Sequence, residues 1–258
     1  MDVIMQSKHI VIIGGTSGSG RVLVRRLSEN QARVSLLGRH PSPEVQQHLP
    51  GVHFYPVDLQ NISTVLEVIN KVVADNGKIT HLIFFQRFRE KENNWEGELQ
   101  ISLTATKEII EAGTEVFDGS GENSIVVVSS IAGHLIHSEQ PVSYHVAKSG
   151  LNQMVRYYAV LLGSRGIRVN CVSPSIMMKD ESRQYYVEKE DLRKLYEKII
   201  PLHRMGKAED IADVIEFLCS DKASYITGQE IIVDGGLSLV GQSSLAKHLW
   251  DTNHLKIT

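Results

Sequence analysis

Apolar positions along the chain fall into two alternating kinds of stretch. Short, almost unbroken β-branched and aliphatic runs occur at Ile10–Ile13, Val34–Leu37, Val52–Pro56, Leu82–Phe85, Ile125–Ser129, Arg168–Val172 and Glu230–Val233. Continuous rather than alternating runs are the pattern of parallel strands covered on both faces. Between them, apolar residues recur at helical spacing at about 18–29, 61–75, 94–117, 143–164 and 208–220. Strands joined by helical crossovers predict an α/β fold with a doubly wound parallel sheet, of Rossmann type, flanked by helices on both faces. No repeat, low-complexity block or composition break divides the chain, which predicts a single domain over 1–236. Within it, the charged helical pattern Asp180–Ile200 marks a lid at about 176–204, and 237–258 forms a tail.

Composition adds exclusions. A chain of 258 residues, 42% hydrophobic, is long enough to bury a sizeable core. A net charge of -3 argues against a nucleic-acid or anionic-membrane surface. The two cysteines, Cys171 and Cys219, lie in apolar runs and read as buried free thiols, with neither a disulfide framework nor a metal site indicated. Met1–His9 lacks a basic region leading into an apolar one, and Ile10–Ile13 is far too short to span a bilayer. A soluble cytoplasmic protein is the expectation.

Three stretches carry chemistry. Tyr144 and Lys148 stand four apart in Ser143-Tyr144-His145-Val146-Ala147-Lys148, so a helix stacks them on one face. A phenol is a poor acid or base at neutral pH; an ammonium one turn away favours the phenolate and makes it tunable. The first strand runs into Gly14-Gly15-Thr16-Ser17-Gly18-Ser19-Gly20 and then a helix opens. In that position, glycines allow a tight turn and close approach of a pyrophosphate to the free N–H groups of the helix start. The second strand ends Leu37-Gly38-Arg39-His40, with no acid to repel a 2′-phosphate and a cation next along; Thr16 and Ser17 add hydroxyls. This points to NADP(H), against the alternative of a simple surface arginine. Asp58 holds the adenine amino group, with Leu59 against the ring, or else Asp58 or Asn61 caps the next helix.

With these stretches in order, the chain resembles the short-chain dehydrogenase/reductase family, in its single-domain branch, over about Lys8 to Gly236. The resemblance also rests on Ser129-Ser130-Ile131-Ala132-Gly133, Ile167-Arg168-Val169-Asn170-Cys171-Val172-Ser173-Pro174, Pro201-Leu202-His203-Arg204-Met205-Gly206, Thr227-Gly228-Gln229 and Val233-Asp234-Gly235-Gly236. The flavour is that of 3-oxoacyl-carrier-protein reductases. The resemblance implies an NADPH-dependent reduction of a ketone to a secondary alcohol, reversible, in a biosynthetic setting. Ser130 would hydrogen-bond the carbonyl oxygen and Tyr144 would deliver its proton. Lys148 would lower the tyrosine pKa and hold the nicotinamide ribose. Pro174 and Ile176 would lie along the cofactor, whose other contacts are Gly14, Thr16, Ser17, Gly18, Ser19, Gly20, Arg39, Asp58 and Leu59.

Three departures stand out. The family's small Asn-Asn-Ala-Gly turn is replaced by Phe85-Gln86-Arg87-Phe88, where Arg87 or the nearby Arg89 would reach an anionic substrate or a cofactor phosphate, or simply face solvent. Ser102 takes the place of the family's fourth catalytic residue, an asparagine that binds a relay water; a serine holds a water with fewer groups. Pro174-Ser175 replaces a Pro-Gly pair, and Lys179 stands where a threonine is expected, either at a phosphate or in solvent. For the substrate the candidates are His134, His137, Gln140 and Arg87, mixed with Leu135, Ile136, Met177, Met178, Tyr185 and Tyr186. The substrate is a small carbonyl compound, anionic or carrier-bound in one reading. The competing function is a dinucleotide-binding regulatory or scaffold protein that has lost turnover. The long fourth and fifth helical patterns resemble those through which relatives pair, which implies a homotetramer or homodimer, and Leu245, Leu249 or Trp250 of the tail would pack on a neighbour or stay disordered.

Overall fold

A computed structural model describes residues 8–88, 94–119 and 122–254. Seven parallel strands form the central sheet: β1 (His9–Ile13), β2 (Arg33–Gly38), β3 (Val52–Pro56), β4 (His81–Phe84), β5 (Asn123–Val128), β6 (Ile167–Pro174) and, last in the chain, β9 (Glu230–Val233). Their order across the sheet is β3-β2-β1-β4-β5-β6-β9. All seven strands expected from the apolar runs are present, each within one or two residues of its expected end. The reason is burial on both faces: every residue of β1 and β4 is buried, so sequence and core coincide.

The helices are α1 (Gly18–Glu29), α2 (Pro43–Gln46), α3 (Ile62–Asn76), α4 (Trp95–Leu99), α5 (Ala105–Thr114), α6 (Val142–Gly163), α7 (Asp180–Glu188), α8 (Glu190–Ile199), α9 (Ala208–Cys219) and α10 (Gln242–His254). One core layer joins α3, α5 and α6 to the sheet, and the other joins α1 and α9. Two short strands, β7 (Met177–Met178) and β8 (Gly206–Lys207), pair in parallel at the two ends of the α7–α8 excursion.

Two differences from the sequence reading matter. The pattern at 94–117 is not one regular helix: α4 and α5 are joined by a π turn, Gln100–Thr104. Such a turn inserts one residue and shifts the inward face, and these insertions concentrate at functional sites. The tail is not shapeless: it makes a short 3₁₀ turn at Leu237–Leu239 and then α10, where Trp250 stays 63% exposed.

The order of strands reverses between β1 and β4, two parallel neighbours whose carboxyl ends open on the same edge of the sheet. That reversal is where ligands of doubly wound sheets bind. Among the described residues, no helix is long and apolar enough to cross a membrane, and no His/Cys/Asp/Glu group is arranged to hold a metal.

Candidate active site

The site begins where β1 ends. Gly14 turns the chain with φ +79°, and a Cβ there would come within 2.7 Å of the Gln86 backbone. At Gly20 a Cβ would stand 2.6 Å from the Gly15 Cα, so the first turn of α1 packs against the loop only because both residues lack side chains. The opening N–H groups of α1 have no partner within their helix. One of them, Gly18 N–H, donates to Glu181 Oε1 at 2.8 Å, so an anion already stands at this helix start. Room for a backbone-hugging group and a proven taste for an anion together fit the pyrophosphate of a dinucleotide.

From this loop two clefts diverge. The smaller, about 220 Å³, is lined by Gly14, Thr16, Ser17, Gly38, Arg39, His40, Asp58, Leu59 and Arg87. Here the competing assignments for Asp58 separate. Asn61 caps α3, accepting from Thr64 N–H, while Asp58 accepts from Gln60 N–H at 3.0 Å and remains on the cleft wall. The larger cleft, about 380 Å³, gathers Gly14, Ser17, Gly18, Ser19, Gly20, Ser130, Tyr144, Lys148, Pro174 and Ile176 with Arg87, His137 and Gln140. Lys179 and Ser175 line it too, and the Ser175 hydroxyl is buried without a partner. Arg89 lies outside the described residues.

Tyr144 and Lys148 occupy the first two turns of α6, which opens after Pro141, a residue whose fixed φ suits a helix entry. The ammonium lies 5.5 Å from the centre of the phenol ring, and the Arg87 guanidinium carbon 5.3 Å from it. Lys148 is buried and donates to the Val128 carbonyl at 3.1 Å. Burial pulls its pKa down to about 8; Glu98 pulls the other way, and Arg87 adds to the fall. A lysine poised there is charged at neutral pH and titrates just above it. Ser130 ends the β5 segment and caps a single 3₁₀ turn, Ile131–Gly133, accepting from Ala132 N–H at 3.2 Å. The arrangement brings a hydroxyl, a phenol and an ammonium to one cleft beside an anion-binding loop, which is the equipment for proton transfer at a carbonyl oxygen.

The bulky turn after β4 does not fill the cleft. Phe88 packs on Gly97, where a Cβ would lie 2.6 Å from its ring, and Gln86 turns inward to donate to Thr106 Oγ1 at 2.6 Å. Phe85 and Gln86 line both clefts along with Arg87, which alone of the four is exposed and donates to Gln140 Oε1 at 3.4 Å.

Not every expected residue joins the cleft. Ser102 lines neither space; it is buried in the π turn and donates to Glu98 Oε1 at 2.6 Å. His134 points elsewhere: its Nε2 is 2.6 Å from Glu230 Oε2 on β9, in a cluster with Asn152 and Ser173. His137 is at the cleft, in a loop held by His145. The His145 Nε2 accepts from His137 N–H at 3.0 Å, so its Nδ1–H donates to the Pro141 carbonyl at 2.9 Å.

Four residues escaped the sequence reading. Glu98, Glu181 and His145 are singled out by no motif, and Tyr196 stands beside the expected Tyr186 in the wall of the larger cleft. For Glu98 a signal existed: it lies four residues before Ser102, on the same face of the helix.

Comparison with known proteins follows the same lines. A family model described as enoyl-(acyl carrier protein) reductase matches residues 14–238. The chain is 30% identical over 251 residues to the 3-oxoacyl-[acyl-carrier-protein] reductase FabG of Chlamydia pneumoniae, covering 92% of this chain and all of that protein. It is also 30% identical over 251 residues to human dehydrogenase/reductase SDR family member 4, covering 90% of this chain and 88% of the relative. Among solved structures, a short-chain type dehydrogenase/reductase from Mycobacterium ulcerans superposes with a TM-score of 0.83 at 26% identity, over 94% of this chain and 98% of that one.

Proposed function

We propose, from the premise that this chain belongs to the short-chain dehydrogenase/reductase family, that it is an NADPH-dependent enzyme reducing a ketone to a secondary alcohol and catalysing the reverse oxidation. One observation carries this reading: Tyr144 and Lys148, one helical turn apart, share a single cleft with Ser130 and the glycine loop. When bound, a reduced nicotinamide supplies the hydride. The protein does the rest. The Ser130 and Tyr144 hydroxyls meet the carbonyl oxygen and stabilise the charge that develops on it. Tyr144 gives its proton to that oxygen, and the nearby Lys148 ammonium favours the phenolate left behind.

Preference for the phosphorylated dinucleotide is supported by Gly38 and Arg39 on the wall of the smaller cleft, where no acid opposes a 2′-phosphate. Arg87, exposed and beside Tyr144, suits a ketone bearing an anionic group or a carrier. Helices α7 and α8 serve as the lid over the site, with Tyr186 and Tyr196 on its inner wall. A regulatory protein without turnover is the weaker reading, because Phe85–Phe88 leave the cleft open.

The test is turnover. Purified protein should oxidise NADPH with at least one member of a ketone panel that includes β-ketoacyl thioesters and keto acids. Tyr144→Phe should then lower kcat by roughly 10²- to 10⁴-fold, the range of a general acid. A Tyr144→Phe protein working at the native rate would overturn the mechanism. Tight NADPH binding with no turnover across the panel would favour the regulatory reading.

A further inference from the structure

Among the described residues, only two acidic or basic side chains of full formal charge are buried: Glu98 and Lys148, at 4% and 3% exposure. Ions taken out of water are costly unless an opposite charge compensates them. Both belong to elements packed on each other. Glu98 sits near the end of α4, and α4 and the following π turn lie against α6. At Gly150, two residues past Lys148, a Cβ would come 3.0 Å from Leu103 Cδ2, so the Leu103 side chain of the π turn packs directly on the α6 backbone. The carboxylate is also oriented, since the Ser102 hydroxyl donates to its Oε1 at 2.6 Å.

We propose that Glu98, aimed by Ser102, is the counter-charge that keeps Lys148 an ammonium beside Tyr144. It is a positioning residue that acts on the reaction through Lys148. The other groups facing that ammonium do not fill this role. Arg87, from the turn after β4, is a cation and opposes it. Cys171, from β6, is held as a neutral thiol, its pKa pushed up to about 12 by burial. Tyr144, on the same helix, presents its ring, and the Val128 carbonyl accepts one N–H. Glu98 alone supplies a full negative charge.

The sign follows from the charge. An ammonium that loses its carboxylate partner deprotonates at lower pH. Ketone reduction that needs the ammonium is therefore lost earlier as pH rises. The catalytic consequence rests on the function proposed above; the charge pairing does not, and the experiment reads the two separately. In cofactor-free protein with ¹³C-labelled lysine, the resonance missing from Lys148→Arg should titrate near the value set by burial. In Glu98→Gln it should move down by about one pH unit, the lower end of a close opposite charge. In the active enzyme, the alkaline limb of kcat/KM should move by the same amount. Glu98→Asp should fall between. Should Glu98→Gln not fold, Glu98→Asp alone carries the test. A role in packing alone would lower kcat at every pH and leave both titrations where they were; that result, in whichever variants fold, overturns the proposal. Shifted lysine titration with no turnover by any variant or by the native protein would instead count against the enzyme reading and leave the pairing standing.

Discussion

At the scale of single residues, the proposed preference for NADPH rests on Arg39. It follows Gly38 at the end of β2 and faces the smaller cleft with Thr16 and Asp58. A Cβ on Gly38 would already lie 3.3 Å from Thr16 Cγ2, so a longer acid there would crowd the wall as well as repel a phosphate. Replacing Arg39 by Gln should raise KM for NADPH roughly tenfold, equivalent to about 1.4 kcal/mol, and leave KM for NADH almost unchanged. The modest size reflects an exposed cation, whose pairing is screened by water. Equal effects on both cofactors would place the discrimination elsewhere. Residues whose chemistry is rare in their position, such as Tyr144, Lys148 and the loop glycines, were legible in the sequence. His134 was not, because its neighbour Glu230 lies on the far strand β9, and a loop side chain follows whichever distant partner the fold supplies. Glu98 and Glu181 hid for a related reason: an acid in an amphipathic helix looks solvated until the helix phase is known.

At the scale of elements, the strands could be read and the joints could not. Fully buried parallel strands write themselves as apolar runs, whereas the π turn between α4 and α5 keeps the apolar spacing and shifts it by one residue. The α7–α8 excursion behaves likewise. The charged pattern Asp180–Ile200 was visible, but its attachment was not. The first turn of α7 is fastened to the glycine loop twice, by Glu181 on Gly18 N–H at 2.8 Å and by an Asp180–Arg21 ion pair. The Glu181 carboxylate thus takes the Gly18 N–H that the proposed pyrophosphate site would offer to a phosphate oxygen, and the two would compete for it. Glu181→Gln weakens that competitor without shortening the side chain. We expect the Kd for NADPH, measured by calorimetry on protein without substrate, to fall several-fold, by roughly 1 kcal/mol, the difference between a charge-assisted and a neutral hydrogen bond to Gly18 N–H. A Kd that rises would show that Glu181 helps to hold the cofactor loop and does not compete for it.

At the scale of the whole molecule, the alternation of runs announced one doubly wound domain, and the sheet order delivers the cleft at its reversal between β1 and β4. What a single chain cannot announce is how copies meet. The outer face of α6 carries Val142, Val146, Tyr157, Val160 and Leu161, all exposed, with Val160 at 85%. Val142 with Val146 and Tyr157 with Val160 lie at helical spacing on that face and make an apolar stripe interrupted midway by Ser149 and Gln153. The opposite face of the same helix bears Leu151, Val155 and Leu162 in the core, so the described residues of one chain leave the outer apolar groups exposed. Grouped exposed apolar residues of that kind mark contact surfaces. The stripe runs from the turn that carries Tyr144 to the far end of the helix, so a partner seated on it would also stiffen the active-site helix. In solution the protein should therefore sediment at a multiple of 28.8 kDa at micromolar concentration. Val160→Glu with Leu161→Glu places two like charges on each copy's contact face and should return the monomer mass. A native protein that sediments as a monomer under those conditions would leave the stripe without its occupant and remove the assembly.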